Sequence, residues 1–321
     1  MEQWKYRLWV CGAFAESGEA KEGAMSLPVV AGIDGSARSL AAADWAAREA
    51  VLRRAPLRLV HATPSPPGLV MPVTAAEVWQ QIGEELLRQA AADLSERYSD
   101  LVVRGEQVSG RPDQTLLSAA ADAGLLVVGG RGTGGFDGLA VGSVALRAAA
   151  AATCPVVVVP ESPADAGDEA EAQAAGGSVR VVAGLDAHEP VDETADFAFA
   201  AAHAHDALLR VVHAWTLPAA SVSPLMLEVT EEDRATWEDQ EVLLLSDALR
   251  EWRQKYPEVT VQPDVRLLHP AMALVTASSG ADLLVIGRRT EPRAPEGRLG
   301  PVAHAVLHHA RCPVAIVPHA G

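Results

Sequence analysis

The 321-residue sequence predicts an α/β protein built from two tandem, doubly wound parallel-sheet sandwiches, each with strand order 3-2-1-4-5. Three observations carry this. Segments recur in the same order: Val29-Val-Ala-Gly-Ile-Asp34 returns as Val181-Val-Ala-Gly-Leu-Asp186, and Arg58-Leu-Val-His-Ala62 as Arg210-Val-Val-His-Ala214, an offset of 152 (186 − 34). Leu125-Leu-Val-Val-Gly129 returns as Leu283-Leu-Val-Ile-Gly287, and Cys154-Pro155 as Cys312-Pro313, at 158 (287 − 129), so the second copy carries six extra residues in its middle. A period this long marks a duplicated domain and not a solenoid repeat. Within each copy strand and helix patterns alternate. The strands are continuous apolar runs, such as Leu125 to Val128 and Val156 to Val159, as expected where helices cover both faces of a parallel sheet. Right-handed crossovers then wind the chain onto both faces.

In the first copy, strands are expected at Val29, Leu57, Leu101, Leu125 and Pro155, and helices from Ser39, from Thr74, near Pro112 and after Ser143. The fifth strands, Pro155 to Pro160 and Pro313 to Pro318, read as apolar edges that would promote aggregation if left bare. The expected domains are 26–160 and 179–319. The segment 161–178, rich in Ala, Gly and acidic residues, reads as a flexible linker. Residues 1–25 read as a disordered extension. Lys5 and Arg7 precede a short apolar run from Leu8 to Ala15, but its brevity and bulky residues argue against a signal peptide, and Met25 could be the true initiation site.

Composition narrows the function. A net charge of -16, from 42 acidic and 26 basic residues, argues against nucleic acid and anionic membranes as partners, which need clustered Lys and Arg. No run approaches the ~18 apolar residues of a membrane span. Three scattered cysteines, Cys11, Cys154 and Cys312, make no disulfide framework, and a reducing cytoplasm fits them best.

In such a sheet, ligands bind beyond the strand C-termini where neighbouring crossovers depart in opposite directions. Here that crevice lies between strands one and four. The loops meeting there start at Asp34 and Gly129, and the second runs Gly129-Gly-Arg-Gly132 through Gly142-Ser143 into a helix. Glycines let backbone N–H groups approach a phosphate, and a helix N-terminus adds a favourable dipole. Gly130-x-Gly132-x-x-Gly135 formally matches a dinucleotide fingerprint, but it follows the fourth strand of its unit, not the first. The chain contains no Gly-Lys pair, which excludes a Walker loop. A glycine-rich connection without a ligand, and Asp34 as a simple helix cap, are the structural alternatives.

Gly129-x2-Gly132-x9-Gly142-Ser143 resembles the ATP-binding signature of universal stress proteins. The likeness extends from Met25 over nearly the whole chain, through Gly32-Ile33-Asp34-Gly-Ser36, Gly110-Arg-Pro112 and the Cys154-Pro-Val strand. It implies an adenine nucleotide alpha hydrolase-like sandwich that binds ATP, with or without Mg²⁺. By position, Asp34 would hold the ribose and the Ala62 backbone would contact adenine. Gly129, Arg131, Gly132, Gly142, Ser143 and Val144 would wrap ribose and phosphates, with Gly32, Ile33 and Val128 flanking them. Ala145 departs from relatives that offer a hydroxyl there. The resemblance also implies pairing of domains through the fifth strands, here expected between the two halves, with a homodimer beyond that, an unknown protein partner and a role in the stress response.

In the second copy Gly287 survives, but Thr290 stands for Gly132 and Pro301 for Ser143. A β-branched residue disfavours positive φ, and proline lacks the N–H and hydroxyl. Each lost hydrogen bond to a charged phosphate costs about 1.5–3 kcal/mol, so this half is expected to bind ATP weakly or not at all. Arg288, Arg289, Arg293 and Arg298 read as solvated loop residues. His304, His308 and His309 have a spacing that could hold a metal, but no third ligand is evident, so no metal is assigned. His61 and His213 read as packing or backbone-bonded, and Trp79, Trp237 and Trp252 as core or interface anchors. With no nucleophile–base–orienter set, a nucleotide-responsive binding protein is favoured over an enzyme. Slow ATP hydrolysis or autophosphorylation, and a nucleotide-free scaffold, are the rival readings.

Overall fold

A computed structural model of the chain describes residues 26–63, 73–132, 141–160, 179–217, 230–290 and 297–320. The expected N-terminal extension and linker, the centre of the glycine loop (133–140) and Arg293 lie outside the described residues.

The first half runs β1 (Val29–Gly32), α1 (Ala37–Leu52), β2 (Leu57–Thr63), α2 (Val73–Arg97), β3 (Val103–Ser109), α3 (Pro112–Ala120), β4 (Leu125–Gly129), α4 (Ser143–Ala151) and β5 (Val156–Val159). The second runs β6 (Arg180–Gly184), α5 (Asp192–Ala204), β7 (Leu208–Trp215), α6 (Glu231–Ala248), α7 (Arg250–Lys255), β8 (Val261–Leu267), α8 (Pro270–Ala277), β9 (Leu283–Thr290), α9 (Pro301–His309) and β10 (Val314–Ala320).

Ten strands form one sheet in the order β3-β2-β1-β4-β5-β10-β9-β6-β7-β8. The first half has the expected order 3-2-1-4-5, and the second repeats it from the opposite edge. All pairings are parallel except the central one, where β5 runs antiparallel to β10 with Val157 opposite Ala315 and Val158 opposite Val314. The four valines of β5 are buried on both sheet faces. Left as an edge they would offer unpaired backbone to another chain; the other half covers them instead. The two apolar layers accordingly run through both halves, with Val157 and Ala315 in the layer under α1 and α5, and Val158 and Ile316 in the layer under α4 and α9.

Local chemistry sets the helix positions. Gly35 takes φ +84°, in the left-handed region that suits glycine. Ser36 then caps α1, its Oγ accepting from the Ser39 N–H at 3.1 Å. Ala42, Ala43, Ala46, Ala47 and Ala50 line the buried side of α1, and such small residues bring the helix close to the sheet. Thr230 and Asp233 form a reciprocal capping box that starts α6.

The third strand begins at Val103, later than the expected Leu101. Leu101 instead closes a turn, its N–H donating to Tyr98 O at 3.0 Å while its side chain enters the core. Trp79 is not a core anchor, because half its surface is exposed on α2. Trp252 does pack inward, with its ring 6.0 Å from that of Phe199.

Away from the strand seam, α1 meets α5 through a buried charge cluster. Glu49, 1% exposed, accepts from Arg53 Nε at 2.6 Å and lies 2.9 Å from His205 Nε2 of the second half. Arg53 also sits over the Phe197 ring, 5.2 Å from its centroid.

Candidate functional site

The crevice between β1 and β4 forms because α1 leaves β1 toward one face of the sheet while α3 and α4 cover the other. In-register pairing of Val29 with Leu125 and Ala31 with Val127 brings the strand ends level, so the turn at Asp34 faces the loop after Gly129. The Asp34 Oδ1 accepts from the Ser36 N–H at 3.0 Å, and the Asp34 N–H donates to Ser39 Oγ at 3.2 Å. These bonds orient the exposed carboxylate. Its other oxygen, Oδ2, approaches Gly132 so closely that a Cβ there would overlap it.

This revises the reason for glycine at 132. Its backbone is not left-handed; what a side chain would meet is the end of the neighbouring carboxylate, which would have to move to admit it. Gly129 is constrained similarly, since a Cβ would come within 3.1 Å of the Arg38 carbonyl at the start of α1. The two ends of the glycine loop are stitched together by the Gly142 N–H donating to Gly130 O at 2.6 Å, and the Gly130 N–H donating to Val159 O at 2.7 Å.

Gly142 sits at the N-cap of α4 without a capping side chain, so the first N–H groups of the helix, from Ser143 and Val144 onward, have no intrahelical partner. Ser143 is exposed. Ala145, in place of the hydroxyl residue of some relatives, faces the core at 2% exposure. Arg131 is half-buried beside the loop. Ile33 and Val128 are buried in the two core layers, so any ligand contact they make is through backbone atoms. A Cβ on Gly32 would press on Leu116. Ala62 lies on β2 opposite Val108, next to His61, whose Nδ1 is 2.9 Å from Ile33 O. Asp34, Gly129, Arg131, Gly132, Gly142 and Ser143 are thus brought together, with Ala62 one strand away.

The second half differs in backbone as well as in residue type. β9 continues through Arg288, Arg289 and Thr290, pairing with Pro318, His319 and Ala320 of β10, where β4 stops at Gly129. Thr290 Oγ1 donates to His319 O at 2.8 Å. The expectation of solvated arginines is corrected at Arg288, which is 6% exposed and donates from Nη2 to Ala152 O of the first half at 2.5 Å. Arg289 is exposed and pairs with Glu189 at 3.2 Å. A cleft of about 430 Å³ at this seam is lined by Ala152, Arg288, Arg298 and His319 among others; it includes neither Asp34 nor Gly132.

Three residues not singled out together from the sequence converge at the β6–β7 end. His213 Nε2 and His188 Nε2 each lie 3.0 Å from Glu241 Oε2. Among the described residues they form a set of potential metal ligands within 4.8 Å of one another. His213 was read as backbone-bonded, and its Nδ1 is indeed 3.3 Å from Leu185 O. The signal that could have revealed the rest is the repeat itself. His188 stands where the first copy has Ser36, and Glu241 where it has Gly83.

Fold and site together define a duplicated, doubly wound α/β protein with a glycine-loop crevice in its first half. The sequence profile described as "Universal stress protein family" matches residues 25–160 and 178–318, and the chain belongs to that family. It is 31% identical over 296 residues to universal stress protein Rv2005c of Mycobacterium tuberculosis, covering 90% of this chain and 96% of that one. To Rv2623 of the same organism it is 30% identical over 311 residues, covering 92% and 97%. A universal stress protein from Archaeoglobus fulgidus shares the fold with a TM-score of 0.65 at 13% identity, over 91% of this chain and 98% of that one. No helix among the described residues is long and apolar enough to cross a membrane.

Proposed function

We propose that the first half binds ATP in the β1–β4 crevice and that the protein is a nucleotide-responsive binding protein of the cytoplasm. The observation that carries this is the close approach of the Asp34 carboxylate to Gly132, where a side chain would displace it. A carboxylate held open at that point can accept both hydroxyls of a ribose. The loop amides and the uncapped start of α4 supply donors for phosphate oxygens. ATP carried with Mg²⁺ would bring its own counter-ion into a chain of net charge -16. The second half keeps Asp186 and an uncapped helix start at Gly300. Thr290, however, is locked into β9, and Pro301 removes the first N–H and the hydroxyl at the start of α9, so this half is read as binding ATP weakly or not at all. Occupancy of the crevice would change how the glycine loop presents itself to a partner.

Calorimetric titration with Mg·ATP tests this. One ATP per chain, abolished by Gly132→Thr, is expected. Two equivalent sites, or no binding by wild type, would overturn the reading. ATP turnover measured in the same preparation distinguishes binding from hydrolysis.

A further inference from the structure

We propose that the second half carries a transition-metal site, of the kind that suits Zn²⁺, formed by His188, His213 and Glu241. It occupies the end of the second half that matches the Asp34 turn and His61 of the first.

The three ligands come from three elements. His188 lies in the loop after β6, His213 on β7 and Glu241 on α6. Their convergence is therefore a product of tertiary packing, not of a local spacing. His213 is 1% exposed and held from behind, with Nδ1 3.3 Å from Leu185 O and 3.2 Å from the Ala187 N. The Ala187 N–H can donate to Nδ1, or Nδ1–H can donate to Leu185 O, so the ring is held in either tautomer. Metal binding selects the second, in which Leu185 O takes the Nδ1 proton and the Nε2 lone pair is free for an ion shared with Glu241, the usual outer-shell arrangement for a bound imidazole. His188 is partly fixed too, its N–H donating to Asp186 Oδ1 at 3.0 Å. Its ring meets that of His213 edge-on, with centroids 5.8 Å apart.

Two imidazoles each within 3.0 Å of one carboxylate oxygen make a donor set of two nitrogens and an oxygen. That mixture favours Zn²⁺ over the all-oxygen shells of Mg²⁺ or Ca²⁺. Three protein ligands leave a fourth tetrahedral position for water or an anion. The first half shows what the packing looks like without such a site. There Gly83 lies against His61 and Gln107 so tightly that a Cβ would overlap them, and Ser36 is spent on capping α1. The second half keeps the histidine, replaces the glycine by Glu241 and the serine by His188. The two replacements act together with the retained histidine, where a lone histidine or carboxylate would mean nothing.

The test is titration of the untagged full-length protein, without nucleotide, with Co²⁺ followed by Zn²⁺. Expected is one equivalent of Co²⁺, visible as the intense ligand-field absorption of a four- or five-coordinate site and displaced by Zn²⁺. His188 is exposed, so His188→Ala is expected to fold like wild type by circular dichroism. It should weaken binding by at least the roughly 10–100-fold that loss of an outer-shell partner costs, and Glu241→Gln should do the same. Absence of stoichiometric uptake would overturn the proposal, as would uptake that survives both variants. Loss of uptake in His308→Ala would also overturn it, by placing the metal on the neighbouring His304 and His308 of α9. Because no nucleotide is present, these outcomes are independent of ATP binding by the first half.

Discussion

Glu49 of α1 and His205 at the end of α5 meet across the two halves at 2.9 Å, with the carboxylate almost wholly buried. Burial alone would raise the Glu49 pKa, but the hydrogen bond from His205 and the adjacent charge of Arg53 outweigh it and hold the carboxyl at about 2. A carboxyl depressed in the folded state contributes stability that is fully present above its unfolded value near 4.3 and is lost as the pH falls through the folded value. Glu49→Gln is therefore expected to cost on the order of 2–3 kcal/mol at neutral pH. Between about pH 4.5 and 2 the difference from wild type should shrink. Denaturant unfolding at several pH values measures both. A difference that stays constant down to pH 2 would show that the cluster contributes by shape and not by charge.

Gly132→Ala should collide with Asp34 Oδ2 and push the carboxylate out of the crevice. Because the loop is at the surface, the thermal midpoint should move little. ATP affinity should fall by about 10- to 100-fold, the equivalent of one charged hydrogen bond. Asp34→Asn keeps an oxygen for the Ser36 N–H and is expected to fold normally while binding ATP more weakly. Calorimetry on both variants checks the pair; unchanged affinity in Gly132→Ala would remove the steric argument.

The central seam can be locked. Val157 and Ala315 are direct partners across β5 and β10, and antiparallel partners lie within disulfide reach. With Val157→Cys and Ala315→Cys introduced together and a protease site placed between residues 165 and 170, oxidised protein should run as one band after cleavage on a denaturing, non-reducing gel. Reduction should release two fragments. Two fragments before reduction would contradict the register.

Cys154 is expected to be chemically silent. Burial pushes its thiol up to about 12, so essentially no thiolate exists at neutral pH. Peptide mapping after alkylation of the native protein should find it unmodified, and modified once the protein is unfolded.

The duplication and the parallel sheet were legible because continuous runs such as Leu125 to Val128 report burial on both faces, and because the repeat is collinear apart from one insertion. The glycine loop was legible because Gly129, Gly132 and Gly142 lie in one contiguous stretch. The reason glycine is needed at 132 was not. Local sequence suggested backbone handedness, whereas the constraint is a carboxylate almost 100 positions away. Arg288 was misread for a related cause. Nothing in Gly-Arg-Arg-Thr says that the strand runs on, since that depends on β10 extending alongside it.

Residue pattern alone was enough to establish two copies of one sandwich and the loss of glycine and serine from the second loop, and it pointed to one end of the sheet for a ligand, because these follow from periodicity and from which side chains a backbone tolerates. Folding in three dimensions decided the antiparallel register in which β5 and β10, expected to pair by family resemblance, cover each other, that His205 reaches Glu49, and that His188 and His213 share the carboxylate of Glu241. Each of those contacts joins segments whose separation along the chain carries no distance information, so only the packing of helices on a common sheet could bring them together.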